Sequence, residues 1–151
     1  MRFAAVHTPG HARGHLCLVE ERSKAAIVGD MVAGVGTIVI DPPEGDMGDY
    51  IEQLGRLRER GVGALYPAHG PVVPDGAAKL TEYIDHRSER EERVYQAVRG
   101  GCSGVEDIVL AAYTDVAPVL HPIAARSTEA VLIKLVREGK VRREGNRYFA
   151  A

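Results

Sequence analysis

Histidine and aspartate residues that follow apolar segments form the most chemically suggestive pattern in this 151-residue chain. The stretch "HTPGHARGHL" places His7, His11 and His15 four residues apart, "IVGD" ends at Asp30, and "YPAHG" contains His69. Imidazole and carboxylate groups are good zinc ligands, and a rigid strand end fixes such a donor while the next loop leaves room for substrate. Each stretch alone is a weak signal, but together they indicate a metal site.

The spacing of the first three histidines raises the alternative of one helix face, because residues four apart lie on the same side of a helix. Pro9 and Gly10 argue against a helix here, since proline lacks an N–H donor and glycine has low helix propensity. The sequence therefore predicts a strand, a tight loop and a second strand. In that arrangement the three histidines cannot share one face.

The first 100 residues contain the elements of a mixed α/β fold. Alternating or apolar runs predict strands in "RFAAVHT", "HLCLVEE", "KAAIVGD" and "GTIVIDP", and another strand in "VGALYP". A helix is predicted over residues 45–61, with Asp46 or Asp49 as its N-cap and Gly61 at its end. A longer helix is predicted over residues 75–101, and its end at Gly100–Gly101 is the best domain boundary.

The remaining residues have the order and size of a winged helix. A capping box, Ser103-x-x-Glu106, opens a short helix, a second helix ends near Gly139, and a terminal hairpin turns at Glu144–Asn146. We therefore predict two domains, residues 1–100 and residues 101–151. The second is basic: from Arg126 onward there are seven basic and three acidic residues, whereas the chain as a whole has a net charge of −2.

Bulk properties exclude several classes of protein. No apolar run approaches the length of a membrane span, and the N-terminal residues lack the apolar core of a secretory signal. The two cysteines, Cys17 and Cys102, lie far apart with no CxxC pair. Cys17 lies in an apolar run and is predicted to be a small buried apolar residue. These features predict a cytoplasmic protein with no membrane partner.

The stretches "HTPGHARGHL", "AAIVGDMV" and "LYPAHG" resemble the third, fourth and fifth motifs of the metallo-β-lactamase superfamily. The likeness is strongest to the branch that contains β-lactamase-like protein 2, and it extends through the winged-helix pattern. It implies the fold class α/β (α+β), here the C-terminal half of an αββα sandwich followed by a small winged-helix domain.

The resemblance also implies a two-zinc site. By motif, His11 would bind the first zinc, His69 the second, and Asp30 would bridge them. His7 and His15 would support the loop through hydrogen bonds, and no catalytic residue is implied beyond the metal ligands. In such a hydrolase a metal-bound hydroxide attacks an ester, a thioester or a phosphodiester such as RNA.

The chain departs from the family pattern because the leading motif, HxHxDH, with its four further ligands, is missing from it. We therefore expect a partial site that is inactive by itself. We also expect an uncovered sheet that associates with a second copy of the chain or with the missing N-terminal half.

Two alternatives to the hydrolase remain. One is a nucleic-acid-binding winged-helix module, with RNA as a candidate partner and Arg142, Arg143 and Arg147 contacting phosphates. The other is a non-catalytic remnant that associates with itself. His86 and His121 are expected to make only local interactions.

Overall fold

The computed structural model describes all residues from Met1 to Ala151 and contains two sheets and four α-helices. The elements in chain order are β1 (Phe3–His7), β2 (Leu16–Glu20), β3 (Ala26–Gly29), α1 (Met47–Glu59), β4 (Leu65–Pro67), α2 (Gly76–Arg99), α3 (Val105–Ala112), a 3₁₀ helix (Pro118–Leu120), α4 (His121–Arg137), β5 (Val141–Glu144) and β6 (Arg147–Ala150).

The first four strands form one sheet in the order β1-β2-β3-β4, in which β1–β2 and β2–β3 are antiparallel and β3–β4 is parallel. Because two antiparallel steps restore the original direction, β1, β3 and β4 all run the same way. Their C-terminal ends therefore lie at one edge of the sheet, which is where the loops containing the predicted ligands begin.

Side-chain alternation gives this sheet two different faces. One face is buried with the inward side chains of α1 and α2 in a single hydrophobic cluster, to which it contributes Cys17, Val28 and Leu65. The other face is apolar but 38–53% exposed, and it consists of Phe3, Leu16, Leu18, Ile27 and Tyr66. We call these five residues the open sheet face.

The predicted strand over "GTIVIDP" is wrong, because residues 34–40 pair with no strand. Side chains of the helices bind this segment's backbone instead. The Tyr83 hydroxyl donates to the Gly36 carbonyl at 2.8 Å, Arg87 donates to the Ile38 carbonyl, and the Ile40 N–H donates to Ser127 Oγ at 3.1 Å. Since buried backbone groups need partners but not a particular kind of partner, an apolar run can lie extended without joining a sheet.

Helix ends follow the predicted caps in the first part of the chain. Asp46 is the N-cap of α1 and accepts from the N–H groups of Gly48 and Asp49, and Gly61 follows the helix with a φ of 65°. In the second part, the capping box at Ser103 and Glu106 is wrong. Gly104 occupies the N-cap position of α3 and makes no side-chain cap hydrogen bond.

The C-terminal elements pack as α3, α4 and the β5–β6 hairpin against the same cluster that contains the sheet. Helix α2 is also joined to α4 by an ion pair between Glu91 and Lys134 at 2.8 Å. The boundary at residue 100 therefore stays a prediction, since α2 contributes buried residues to the packing on both sides of it. None of the helices is long and apolar enough to cross a membrane.

The open sheet face generates a first prediction. Leu18 and Ile27 are cross-strand neighbours at its centre, and contiguous exposed apolar surface promotes association. We expect the purified chain to sediment as oligomers, and the double variant Leu18→Lys/Ile27→Lys to sediment as a monomer. Val119→Lys is the matched control, because Val119 is 81% exposed and lies outside the sheet. A monomeric wild type in sedimentation velocity, or equal dispersal by the control, would contradict the prediction.

Candidate metal centre

The structure brings the three predicted zinc ligands together at the edge where β1, β3 and β4 end. Asp30 lies between the two histidines: its Oδ2 is 3.8 Å from His11 Nε2 and its Oδ1 is 3.4 Å from His69 Nε2. Two donors on one tetrahedral zinc are roughly 3.3–3.6 Å apart, given donor–metal distances near 2.1 Å. Each histidine therefore faces a different carboxylate oxygen at close to the spacing of a shared metal ion.

Hydrogen bonding determines which nitrogen of His11 faces Asp30 without a proton. His11 Nδ1 lies 3.1 Å from the Val39 carbonyl oxygen, which can only accept, so Nδ1 must carry the N–H. In the neutral ring Nε2 then presents a lone pair to the Asp30 carboxylate. Two acceptors that face each other require a cation between them or a proton on the ring, and donation from the second ring nitrogen to a carbonyl is typical of metal-binding histidine.

These residues supply only part of a complete site. No set of three or more His, Cys, Asp or Glu side chains is arranged to hold a metal ion by itself. Each histidine forms a donor pair with Asp30, whereas zinc sites in proteins use three or four protein donors. The donor chemistry fits zinc, and the number of donors calls for ligands from additional residues.

His15 holds the Asp30 loop through a chain of hydrogen bonds. The Asp30 N–H donates to His15 Nε2 at 3.2 Å, so His15 Nδ1 carries the proton and donates to Thr8 Oγ1 at 2.8 Å. Thr8 in turn donates to Cys17 Sγ at 3.4 Å, and the Cys17 thiol lies 3.7 Å from the Val28 carbonyl. Burial lowers the pKa of His15, with the neighbouring His11 adding to the effect. The neutral His15 ring that these hydrogen bonds require is therefore the favoured form.

The other loop contacts were only partly visible in the sequence. His7 Nε2 donates to the Arg13 carbonyl at 2.8 Å, within the loop that contains His11. Gly10 has a φ of 134°, and a Cβ there would lie 2.3 Å from the backbone of Tyr50, so a side chain would push α1 away. The "TPGH" stretch shows that a turn occurs at this glycine. No sequence signal identifies the helix packed against it or the Val39 carbonyl that orients His11.

The basic residues predicted to contact nucleic acid are largely engaged elsewhere. Arg142 pairs with Glu144, Arg143 donates to the Gly145 carbonyl at 2.8 Å, and no ion pair involves Arg147. Five of the seven basic side chains from residue 126 onward form ion pairs within the chain: Arg126, Lys134, Arg137, Lys140 and Arg142. The positive balance of this region is therefore neutralised locally, and phosphate contact by Arg142, Arg143 and Arg147 stays a prediction.

The chain of hydrogen bonds through His15 generates a second prediction. Thr8→Val keeps the volume of this fully buried side chain but removes the partner of His15 Nδ1. We expect it to lower the free energy of unfolding by about 1–3 kcal/mol, measured by urea denaturation, because an unpaired buried donor is costly. Thr81→Val is the control, since the Thr81 hydroxyl only donates to Ala77 within α2. Equal stability of the two variants would contradict the role assigned to Thr8.

Comparison with solved structures supports the fold. A metallo-beta-lactamase family protein from Thermus thermophilus aligns with a TM-score of 0.84 at 24% identity, over 99% of this chain and 50% of that one. A beta-lactamase domain protein from Burkholderia ambifaria aligns with the same TM-score at 22% identity, over 99% of this chain and 48% of that one. At these identities the likeness shows the fold alone.

Sequence relatives extend the comparison. The "Lactamase-like protein aptB" of Emericella nidulans is 34% identical over 91% of this chain and 46% of its own length. The "Atrochrysone carboxyl ACP thioesterase" of Aspergillus chevalieri is 36% identical over 91% and 46%, and the "Beta-lactamase-like protein 2 homolog" of Caenorhabditis elegans is 30% identical over 90% and 45%. The chain thus spans about half the length of the curated relatives that it matches.

Family profiles agree with both halves of the structure. Residues 2–69, which contain the three candidate ligands, match the "Metallo-beta-lactamase superfamily". Residues 105–148, which contain α3, α4 and the hairpin, match the "Beta-lactamase associated winged helix domain". Motif positions, fold and relatives are consistent, and the chain belongs to the metallo-β-lactamase superfamily, in the branch that contains β-lactamase-like protein 2.

Proposed function

We propose that this chain contributes half of the two-zinc site of a hydrolase that cleaves esters or thioesters. His11 would bind one zinc, His69 the other, and Asp30 would bridge them. The observation that carries the proposal is the position of the Asp30 carboxylate, with one oxygen toward each histidine at 3.8 Å and 3.4 Å. A carboxylate with an imidazole nitrogen on each side has the geometry expected of a bridging ligand.

Zinc bound here would lower the pKa of a coordinated water and stabilise negative charge on the oxygen of the scissile carbonyl. The chain's own residues prepare the site for that chemistry. Val39 orients His11 through its carbonyl, and His15 fixes the backbone of Asp30. The His69 loop is tied to its neighbours by main-chain hydrogen bonds, from Gly34 to the His69 carbonyl at 2.8 Å and from Ala68 to the Gly29 carbonyl at 3.0 Å.

An ester or thioester is favoured over RNA by two observations. One relative, the Aspergillus chevalieri protein, is named a thioesterase. In addition, five of the seven basic side chains from residue 126 onward are already paired with acids, as in the Arg126–Asp41 and Arg137–Asp46 ion pairs. Phosphate contacts depend on basic side chains free to replace counterions, and few remain here.

The additional zinc ligands would come from a segment that covers the open sheet face. We propose that this segment carries the HxHxDH motif, either in the same polypeptide or in another chain. Two features support the proposal: the relatives are about twice as long as the matched region, and the face beside the ligand loops is apolar and exposed. Burial of that face would provide binding energy in proportion to the apolar area covered.

Zinc titration gives the third prediction. We expect the chain to bind Zn²⁺ weakly in isothermal titration calorimetry, because two donors hold each ion. Asp30→Ala should weaken the binding of both ions more than about tenfold, whereas His69→Ala should do so for one ion and leave the His11–Asp30 pair to hold the other. His7→Ala is the matched control: it is a nearby histidine whose Nε2 is bonded to the Arg13 carbonyl.

The result that would overturn the assignment is equally specific. Binding that survives Asp30→Ala, an unchanged stoichiometry in His69→Ala, or an equal loss in His7→Ala would show that the ions are held by other groups. Since His69 has a 74% exposed side chain, its replacement should leave the unfolding midpoint unchanged, so that a loss of affinity is not a loss of folding.

A further inference from the structure

A cavity of about 360 Å³ lies between the 34–40 segment, α2 and the C-terminal helices. It is distinct from the donor set of the metal centre, since none of the three candidate ligands lines it. Val39 belongs to both sites. It lines the cavity, and its carbonyl accepts the hydrogen bond from His11.

The cavity contains a buried positive charge with no carboxylate to balance it. Arg87 is only 5% exposed. Its guanidinium donates to the Ile38 carbonyl and lies 5.2 Å from the centre of the Tyr50 ring, but no acidic side chain pairs with it. An uncompensated charge in such a place is costly, and proteins normally pair it or leave it for a bound ion.

Arg90, one turn further along α2, lines the same cavity, but its charge is paired with a carboxylate. It is 6% exposed and makes two hydrogen bonds of 3.0 Å to the carboxylate of Asp115. The contact holds the pKa of Asp115 down at about 2. The charge of Arg90 is therefore matched and that of Arg87 is not, and no aspartate or glutamate lines the cavity.

Unpaired polar atoms are confined to the same place. In the whole chain only two buried side-chain nitrogen or oxygen atoms lack a hydrogen-bond partner, Arg87 Nε and His86 Nδ1. Both residues line the cavity. Burial, together with Arg87 and Arg90, lowers the pKa of His86, which favours a neutral ring able to donate one hydrogen bond. Arg87 Nε is therefore a buried donor without an acceptor, and the neighbouring His86 Nδ1, which donates or accepts according to the tautomer, is also unpaired.

Most of the remaining wall is apolar, with Thr37 and Ser127 as its polar members. Val116, Leu120 and Ile123 line the cavity from the C-terminal side, and the last two are about half exposed. A cavity of this size with an apolar wall and a few polar groups is typical of a small-molecule site.

We propose that this cavity binds a small organic monocarboxylate, with the carboxylate at Arg87 and an apolar body against Val116, Leu120 and Ile123. One unmatched positive charge suits a single negative charge, and the apolar wall suits an aryl or short alkyl group better than an inorganic anion. A carboxylate also accepts two hydrogen bonds side by side, as a guanidinium donates them. This site requires no metal and does not depend on the proposed hydrolase function.

Benzoate is the probe for the test, in the metal-free chain with chelator present. We expect benzoate to bind in isothermal titration calorimetry and to raise the unfolding midpoint, and we expect benzyl alcohol and inorganic phosphate to bind at least about tenfold more weakly. Failure of benzoate to bind, or tighter binding of phosphate or benzyl alcohol, would overturn the proposal.

Variants locate the binding. Arg87→Met should weaken benzoate at least about tenfold, whereas Arg99→Met, which alters an exposed arginine at the C-terminal end of the same helix and outside the cavity, should not. Ile123→Glu provides a second test that leaves Arg87 in place. It puts a negative charge at the half-exposed wall and should weaken benzoate while the circular dichroism spectrum is unchanged. Benzoate affinity that is equal in Ile123→Glu and the wild type would refute the site, whether or not Arg87→Met folds.

Discussion

The placement of Asp30 between two imidazoles is the constraint on which the rest of this structure depends. His11 donates from Nδ1 to a carbonyl, so in the neutral ring its other nitrogen can only accept, and it faces a carboxylate that also only accepts. Such an arrangement is unfavourable in the absence of positive charge. The surrounding structure nevertheless maintains it.

Strand direction makes the arrangement achievable with few residues. Because β1, β3 and β4 run the same way, three loops leave the sheet at one edge, and each needs to project only one candidate ligand. The hydrogen bonds through His15 then connect the Asp30 loop with β1 and β2. The candidate ligands are thus positioned by backbone and by neutral side chains, which adds no further charge to a site that must already accommodate a carboxylate.

Sequence patterns indicated which residues are the candidate ligands, but not which residues hold them in place. His11, Asp30 and His69 follow recognisable apolar runs and were singled out by their resemblance to family motifs, and the cap at Asp46 has a short-range signal. The path of the 34–40 segment could not be predicted from local spacing. An apolar run with β-branched residues has the same sequence pattern whether its backbone bonds to a strand or to Tyr83, Arg87 and Ser127. Those partners lie 47 to 87 residues away in the sequence. The observed N-cap of α3, Gly104, lies one residue after the predicted N-cap, Ser103. One or two residues is the usual error in locating the start of a helix.

The same 34–40 segment explains why the C-terminal helices matter to a metal centre that they do not touch. At one end Gly34 donates to the His69 carbonyl, and near the other end Val39 accepts from His11 and Ile40 donates to Ser127 of α4. Between them Arg87 of α2 holds Ile38. Arg87 of α2 and Ser127 of α4 therefore hold the segment on either side of Val39. If α4 moves relative to α2, the Val39 carbonyl that determines the tautomer of His11 must move as well, unless the segment bends between Ile38 and Ile40. Since Ile38 and Ile40 are both buried, that bending is opposed by packing on either side of Val39. The winged-helix region is in this way part of the support of the metal centre, whatever else it contacts.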